Sequence, residues 1–147
     1  MKKAIIVDID GTLADVEHRV HHVNKEQKDW KAFHDSMDQD RLNHWYAKLI
    51  EAMKHQGFDI LFVTGRDEDY REKTQTWMKQ HQIQYDKLYM RSAVDFRSDS
   101  EVKKEIYERQ IKDHWEVAFV VDDRLSVVKM WREQLGLVCL QCDWGDF

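Results

Sequence analysis

The chain has 147 residues, 42% hydrophobic and 35% charged, with six tryptophans and a net charge of −5. That balance excludes a disordered chain, and a domain of this length buries roughly 68–70% of its unfolded surface without needing metals or disulfides. No apolar run is long enough to span a bilayer, and net acidity leaves any nucleic-acid contact to a local basic surface.

The N-terminus opens directly into an apolar strand-like run at 4–9, with no signal-peptide pattern ahead of it, which predicts a cytoplasmic protein with no membrane partner. Residues 14–37 then break the pattern. They hold Trp30, Phe33 and four histidines but no clear strand, and form an insertion long enough to cover a site. Leu42, Trp45, Leu49, Ile50 and Met53 follow at helical spacing, and Gly57 stops that helix. A strand is expected at 59–63 and a helix over 70–81, carried by Tyr70, Thr74, Trp77, Met78 and His81. A further strand is expected at 87–90. Ser98-Asp99-Ser100-Glu101 reads as a capping box opening a helix to about residue 112. A strand at 117–121, a helix over 124–134 closed by Gly136, and a strand at 137–142 complete the chain. Strands alternating with helices predict an α/β fold: a Rossmann-like parallel sheet of about five strands, covered on both faces. The absence of repeats, linkers and proline predicts a single domain over 1–147, with a small cap-like insertion at about 14–37.

Two cysteines, Cys139 and Cys142, are too few for a disulfide framework, and as residues three apart in a strand their sulfurs diverge. They read as buried thiols rather than as a metal or redox pair.

Open parallel sheets bind ligands beyond the carboxyl ends of their strands. Asp8-Ile-Asp10-Gly11-Thr12 lies past the first strand, Thr64-Gly65-Arg66 past the second and Asp122-Asp123-Arg124 past the fourth, and Lys103 and Lys104 lie near the start of the third helix. Clustered carboxylates repel one another unless a cation intervenes, and oxygen-only ligands favour Mg²⁺. A carboxylate nucleophile, a second carboxylate for proton transfer, a hydroxyl and a lysine together suit phosphoryl transfer. Alone, the Asp-x-Asp-Gly run can be a turn or a calcium loop, and Asp-Asp-Arg can cap a helix. Their joint order along the sheet edge carries the reading.

These segments resemble the four motifs of the haloacid dehalogenase (HAD) phosphatases across nearly the whole chain. The resemblance implies Asp8 as nucleophile, Asp10 as general acid and base, and Thr64, Gly65, Arg66 and Lys103 around the phosphate. It also implies Mg²⁺ held by Asp8, the Asp10 carbonyl, Asp122 and Asp123, and prefers Lys103 to Lys104. The segments 102–106, 121–124, 127–132, 136–141 and 145–147 are similar to the 3′-phosphatase domain of phage polynucleotide kinase-phosphatase. That implies removal of a 3′-phosphate from a nucleic-acid end; the alternative is a phosphatase for mononucleotides or other small metabolites. No Gly-x-x-x-x-Gly-Lys-Ser/Thr loop occurs, so no kinase activity is implied. His18, Arg19, Trp30 and Arg124 are candidate substrate contacts, with packing onto the body as the competing role for Trp30 and Phe33. His34-Asp35 resembles the His-Asp pair of another metal phosphohydrolase class, but further histidine ligands are not apparent.

Overall fold

In the computed structural model, which describes residues 1–144, five parallel strands form one sheet. β1 (Lys2–Val7) lies at its centre, between β4 (Asp59–Asp67) and β6 (Trp115–Asp122). β5 (Lys87–Arg91) and β7 (Cys139–Gln141) form the edges. Ala4 through Val7 are buried on both sides, which is why β1 is a continuous apolar run rather than an alternating one. The chain reverses its direction of progress across the sheet at β1, and the switch opens a crevice at the carboxyl ends of β1, β4 and β6.

Alternate residues feed two cores. Ile5 and Val7 meet Ile50 of α3 (His44–His55) and Trp77 and Met78 of α4 (Arg71–Gln80). Ala4 and Ile6 belong to the other layer, with Val102 and Ile106 of α5 (Asp99–Ile106) and Val127 and Val128 of α6 (Leu125–Lys129). Each such aliphatic side chain contributes about 1.5–3 kcal/mol by leaving water, so the sheet is held stiffly under the crevice.

The insertion is longer than the sequence suggests. It starts at β2 (Ala14–Asp15) and closes at β3 (Arg41–Leu42), which pair antiparallel and bracket α1 (Glu17–Val20), α2 (Trp30–Asp35) and a short 3₁₀ turn at Met37–Gln39. β3 escaped notice because its two residues carry no periodicity, and the following helix therefore starts at His44 rather than residue 42. β4 runs on through Thr64-Gly65-Arg66 instead of ending before it, with a shift in its pairing to β5 between Val63 and Asp67. α5 and α6 each widen into π-type turns, at Tyr107–Ile111 and Met130–Gln134. The C-terminal strand is shorter than expected, and the Gly145-Asp-Phe147 segment lies outside the described residues. Cys139 and Cys142 are both free thiols. Among the described residues no helix is long and apolar enough to cross a membrane.

Candidate active site

Asp8 follows β1 directly, and its N–H bonds Val121 O of β6 at 3.0 Å, which ties the start of the loop to the neighbouring strand. Gly11 takes φ +83°, a left-handed turn that side chains resist, and this returns the chain so that Thr12 Oγ1 donates to Asp8 Oδ2 at 3.2 Å. From β6 come Asp122 and Asp123, and from α5 comes Lys103; all four charged groups are buried. Carboxylate oxygens of Asp8, Asp122 and Asp123 lie within 4.8 Å of one another. Lys103 Nζ donates to Asp8 at 2.8 Å and to Asp122 at 2.9 Å, and Trp131 Nε1 donates to the same Asp122 oxygen at 3.2 Å.

One lysine does not neutralise three carboxylates. Burial and the neighbouring Asp122 charge push Asp8 well above the usual carboxylate range, with Lys103 opposing them. Asp123 is pushed up to about 6, by burial first and then by Asp122. Burial works against the Lys103 charge, but Asp122, Asp8 and Asp99 outweigh it and hold the ammonium firmly protonated. An all-oxygen, under-neutralised, buried set of this kind fits a hard divalent cation and favours Mg²⁺ over zinc.

Asp10, two residues on, meets the opposite environment. Its Oδ1 accepts from Arg66 Nη2 at 2.6 Å and from Arg19 Nη2 at 2.7 Å. Burial would raise its carboxyl, but the Arg66 and Arg19 charges overcome this and hold it well below the usual range. Asp40 completes the group. It accepts from Arg19 Nε at 2.7 Å, Arg19 Nη2 at 2.8 Å and Arg66 Nη2 at 3.2 Å, and His18 Nε2 lies 2.7 Å from it. Burial nudges Asp40 upward, yet donors on both oxygens require its ionised form.

The structure therefore relocates three expected substrate groups. Arg19 was expected to grip substrate; it is fully buried, donating to Asp10, Asp40 and the Phe33 carbonyl, with its guanidinium 4.3 Å above the Phe33 ring. Arg66, expected at the phosphate, spends Nε and Nη2 on Asp10 and donates through Nη1 to Thr74 at 3.0 Å. His18 lies against Asp40. Thr64 is buried, and its hydroxyl accepts the Arg66 N–H at 3.1 Å. A Cβ at Gly65 would lie 2.6 Å from Asp99 Oδ1, so any larger residue there must displace the Asp99 carboxylate from its arginine partners. Phe33 packs inside the insertion, while Trp30 stays 45% exposed. Lys103, not Lys104, reaches the carboxylates; Lys104 lies 3.9 Å from Glu108. Asp35 pairs with Lys31, and among the described residues only Asp8, Asp122 and Asp123 group as metal ligands.

Above this floor is a cleft of about 630 Å³, lined by Asp8, Asp10, Trp30, Phe96, Lys103 and Arg124, among others. Arg124 donates to Asp99 at 2.9 Å, and Arg91 donates to the same carboxylate from the end of β5. Asp40, Asp99 and Arg91 were missed in the sequence. Only the Asp99 position carried a signal, and its capping-box context gave it a purely local meaning.

Residues 2–147 match the family described as the polynucleotide kinase PNKP phosphatase domain. A protein of Autographa californica nuclear polyhedrosis virus, bearing the name of a bifunctional polynucleotide kinase/RNA ligase, is 28% identical over 137 residues, which is 89% of this chain and 18% of that protein. A chain in the structure of the Pnkp1/Rnl/Hen1 RNA repair complex is 38% identical, with TM-score 0.88 over 100% of this chain and 44% of that one. The chain thus spans less than half the length of either relative. The haloacid dehalogenase-like protein SP0104 from Streptococcus pneumoniae shares the fold at TM-score 0.64 and 17% identity, covering 98% of this chain and 86% of that one. Together with the parallel sheet and the carboxylates at its switch point, the match over residues 2–147 makes this chain a member of the polynucleotide kinase PNKP phosphatase domain family, a phosphatase on a HAD-type sheet.

Proposed function

We propose that the chain is a Mg²⁺-dependent phosphomonoesterase that removes 3′-phosphates from nucleic-acid ends through a phosphate transiently bonded to Asp8. The observation that carries the chemistry is the opposite treatment of Asp8 and Asp10, two carboxylates on one turn. Without a cation the raised Asp8 would be the acid of the pair. A cation held among Asp8, Asp122 and Asp123 would reverse this by favouring the ionised Asp8 that attacks, while Asp10 stays fixed by its arginines. Asp8, Asp122 and Asp123, with the Asp10 carbonyl, are the residues that would hold the cation, which supplies charge neutralisation for an anion attacking an anion.

An Asp8 oxygen bonds the phosphorus as the ester P–O bond breaks, and the departing oxygen takes a proton that Asp10 relays from solvent. Asp10 holds that proton more readily with the phosphate dianion beside it than in the free protein. Water then attacks the acyl phosphate, returning its proton to Asp10 and freeing inorganic phosphate and Asp8. Lys103 and Thr64 hold phosphate oxygens through the transfer. Arg19 and Arg66 fix the direction in which Asp10 points and favour the ionised form that accepts the proton from water.

The nucleic-acid end is supported by the family match and by the RNA repair complex that contains the 38% identical relative, which also makes a protein partner part of the proposal. The small insertion leaves the cleft open enough for a polymer end. A small-molecule substrate is favoured by one observation: Arg91, Arg97 and Arg124 at the cleft mouth are each paired with an aspartate, so little free positive charge awaits a polyanion. Phosphate release separates the two. A 3′-phosphorylated oligonucleotide should exceed a 5′-phosphorylated one and free mononucleotides, and only with Mg²⁺; preference for free nucleotides would establish the metabolic reading instead.

A further inference from the structure

We infer that Phe96, with Trp30 on the same cleft, is a base-stacking platform that selects unpaired nucleic-acid ends; this rests on the proposed phosphomonoesterase reading. A single exposed apolar side chain is ordinary on a protein surface. Phe96 differs because the loop beneath it is built to present it. The ring is 88% exposed at the crest of the 92–98 loop between β5 and α5. Arg91 Nη1 donates to the carbonyls on either side of it, Asp95 O at 3.1 Å and Arg97 O at 2.7 Å. Asp95 N–H bonds Ser92 O at 3.0 Å, and Asp95 Oδ1 accepts from the Arg97 N–H at 3.1 Å. The loop's polar groups are thus tied among themselves and to Arg91, which holds the backbone on both sides of Phe96 in place.

Trp30 borders the same cleft from the insertion. One side of it is packed, edge-on to Phe33 with centroids 5.7 Å apart and near-parallel to His34 at 6.1 Å and 25°. The rest of the ring is partly open to solvent, with Lys28 Nζ 5.8 Å from its centroid. The cleft therefore has a phosphate-transfer floor and two anchored aromatic faces at its rim.

The occupant that uses both is a phosphate ester carrying flat, uncharged rings a sugar's length away, which is a nucleotide chain. Stacking is indifferent to base identity because every base has a π-face. A base must leave its own stack to lie on a side chain, so an unpaired end enters more readily than a paired one. Arg97 and Arg124, with side chains 47% and 35% exposed, are each paired with a carboxylate, so recognition falls to the aromatic rings rather than to free charge.

The test compares kcat/KM for a single-stranded 3′-phosphorylated oligonucleotide, the same oligonucleotide with abasic terminal sugars, and glycerol 2-phosphate, which has no ring. Phe96→Ala should lower the ratio of oligonucleotide to glycerol 2-phosphate turnover roughly ten-fold or more. Phe96→Trp should restore that ratio, and the abasic substrate should be insensitive to either change. Because Phe96 is almost wholly in solvent, neither substitution threatens the fold. An unchanged ratio in Phe96→Ala, with wild type still preferring the oligonucleotide, overturns the platform and leaves the phosphatase reading standing. Wild type inert toward every ester overturns both.

Discussion

Two groups of buried charge sit side by side at the end of β1, and they are built on opposite terms. Around Asp8, three carboxylates share one lysine. Around Asp10, two carboxylates share two arginines. The first group is in deficit and calls for a cation. The second is balanced by the protein itself and asks for nothing. A balanced buried network stiffens and positions, whereas an under-neutralised one stores repulsion that a ligand relieves. On the proposed chemistry, the difference is how two aspartates two residues apart would take unlike roles, one as a metal-assisted nucleophile and the other as an aimed proton carrier.

Breaking the deficit group at its centre has the largest expected effect. Asp8→Asn removes the atom that bonds phosphorus and should cut phosphate release by roughly 10⁴-fold or more, while urea unfolding shows a chain that is folded as before. Breaking the balanced group comes next. Asp40→Asn leaves Arg19 and Arg66 with too little negative charge in a buried site, so unfolding by urea should show a loss of about 3–5 kcal/mol. The rate should fall with it, because Asp10 loses its fixed direction.

The deficit group should give the reverse result when a carboxylate is removed without metal. A carboxyl held at about 6 rather than 3.8 costs the fold on the order of 3 kcal/mol at neutral pH. The sign follows from protons. Above pH 6 the penalty is complete, and as pH falls from 6 toward 3.8 the folded chain binds a proton that the unfolded chain does not, so stability recovers. Asp123→Asn should therefore raise the thermal midpoint of the metal-free protein at pH 7.5, with the gain fading by about pH 4–5. In wild type, Mg²⁺ should raise that midpoint at pH 7.5 and do so less in Asp123→Asn. The smallest effect is expected at Lys104, which is outside both groups. Lys104→Met should alter stability by no more than about 0.5 kcal/mol and leave turnover near wild type, whereas Lys103→Met should abolish it.

The deficit group was legible in the sequence and the balanced group largely was not. Asp8, Asp122 and Asp123 each follow a buried aliphatic run, and strand ends in a parallel sheet converge by topology alone. The third helix offered both Lys103 and Lys104 at that edge, and only the family resemblance preferred Lys103. Asp40 and Arg19 reach Asp10 only because the insertion folds back through β2 and β3, a two-residue ladder without periodic signal. Arg66 stood in the right motif but was assigned to phosphate, since nothing local announces that a carboxylate has taken its fork. Phe96 lies in a loop whose shape depends on Arg91, five residues earlier in the chain, and a pattern of apolar spacing contains no such bond.

In the proposed reaction, Asp8 carries the phosphate between the two half-steps. The most direct measurement is an acid-quenched single turnover of a 3′-phosphorylated oligonucleotide with Mg²⁺, followed by the mass of the peptide containing Asp8. Asp10→Asn, which slows release of the intermediate, should accumulate one phosphate on that peptide, and the adduct should be lost on treatment with hydroxylamine. Turnover that survives Asp8→Asn, or release in Asp10→Asn with no phosphate ever found on the peptide, would contradict it.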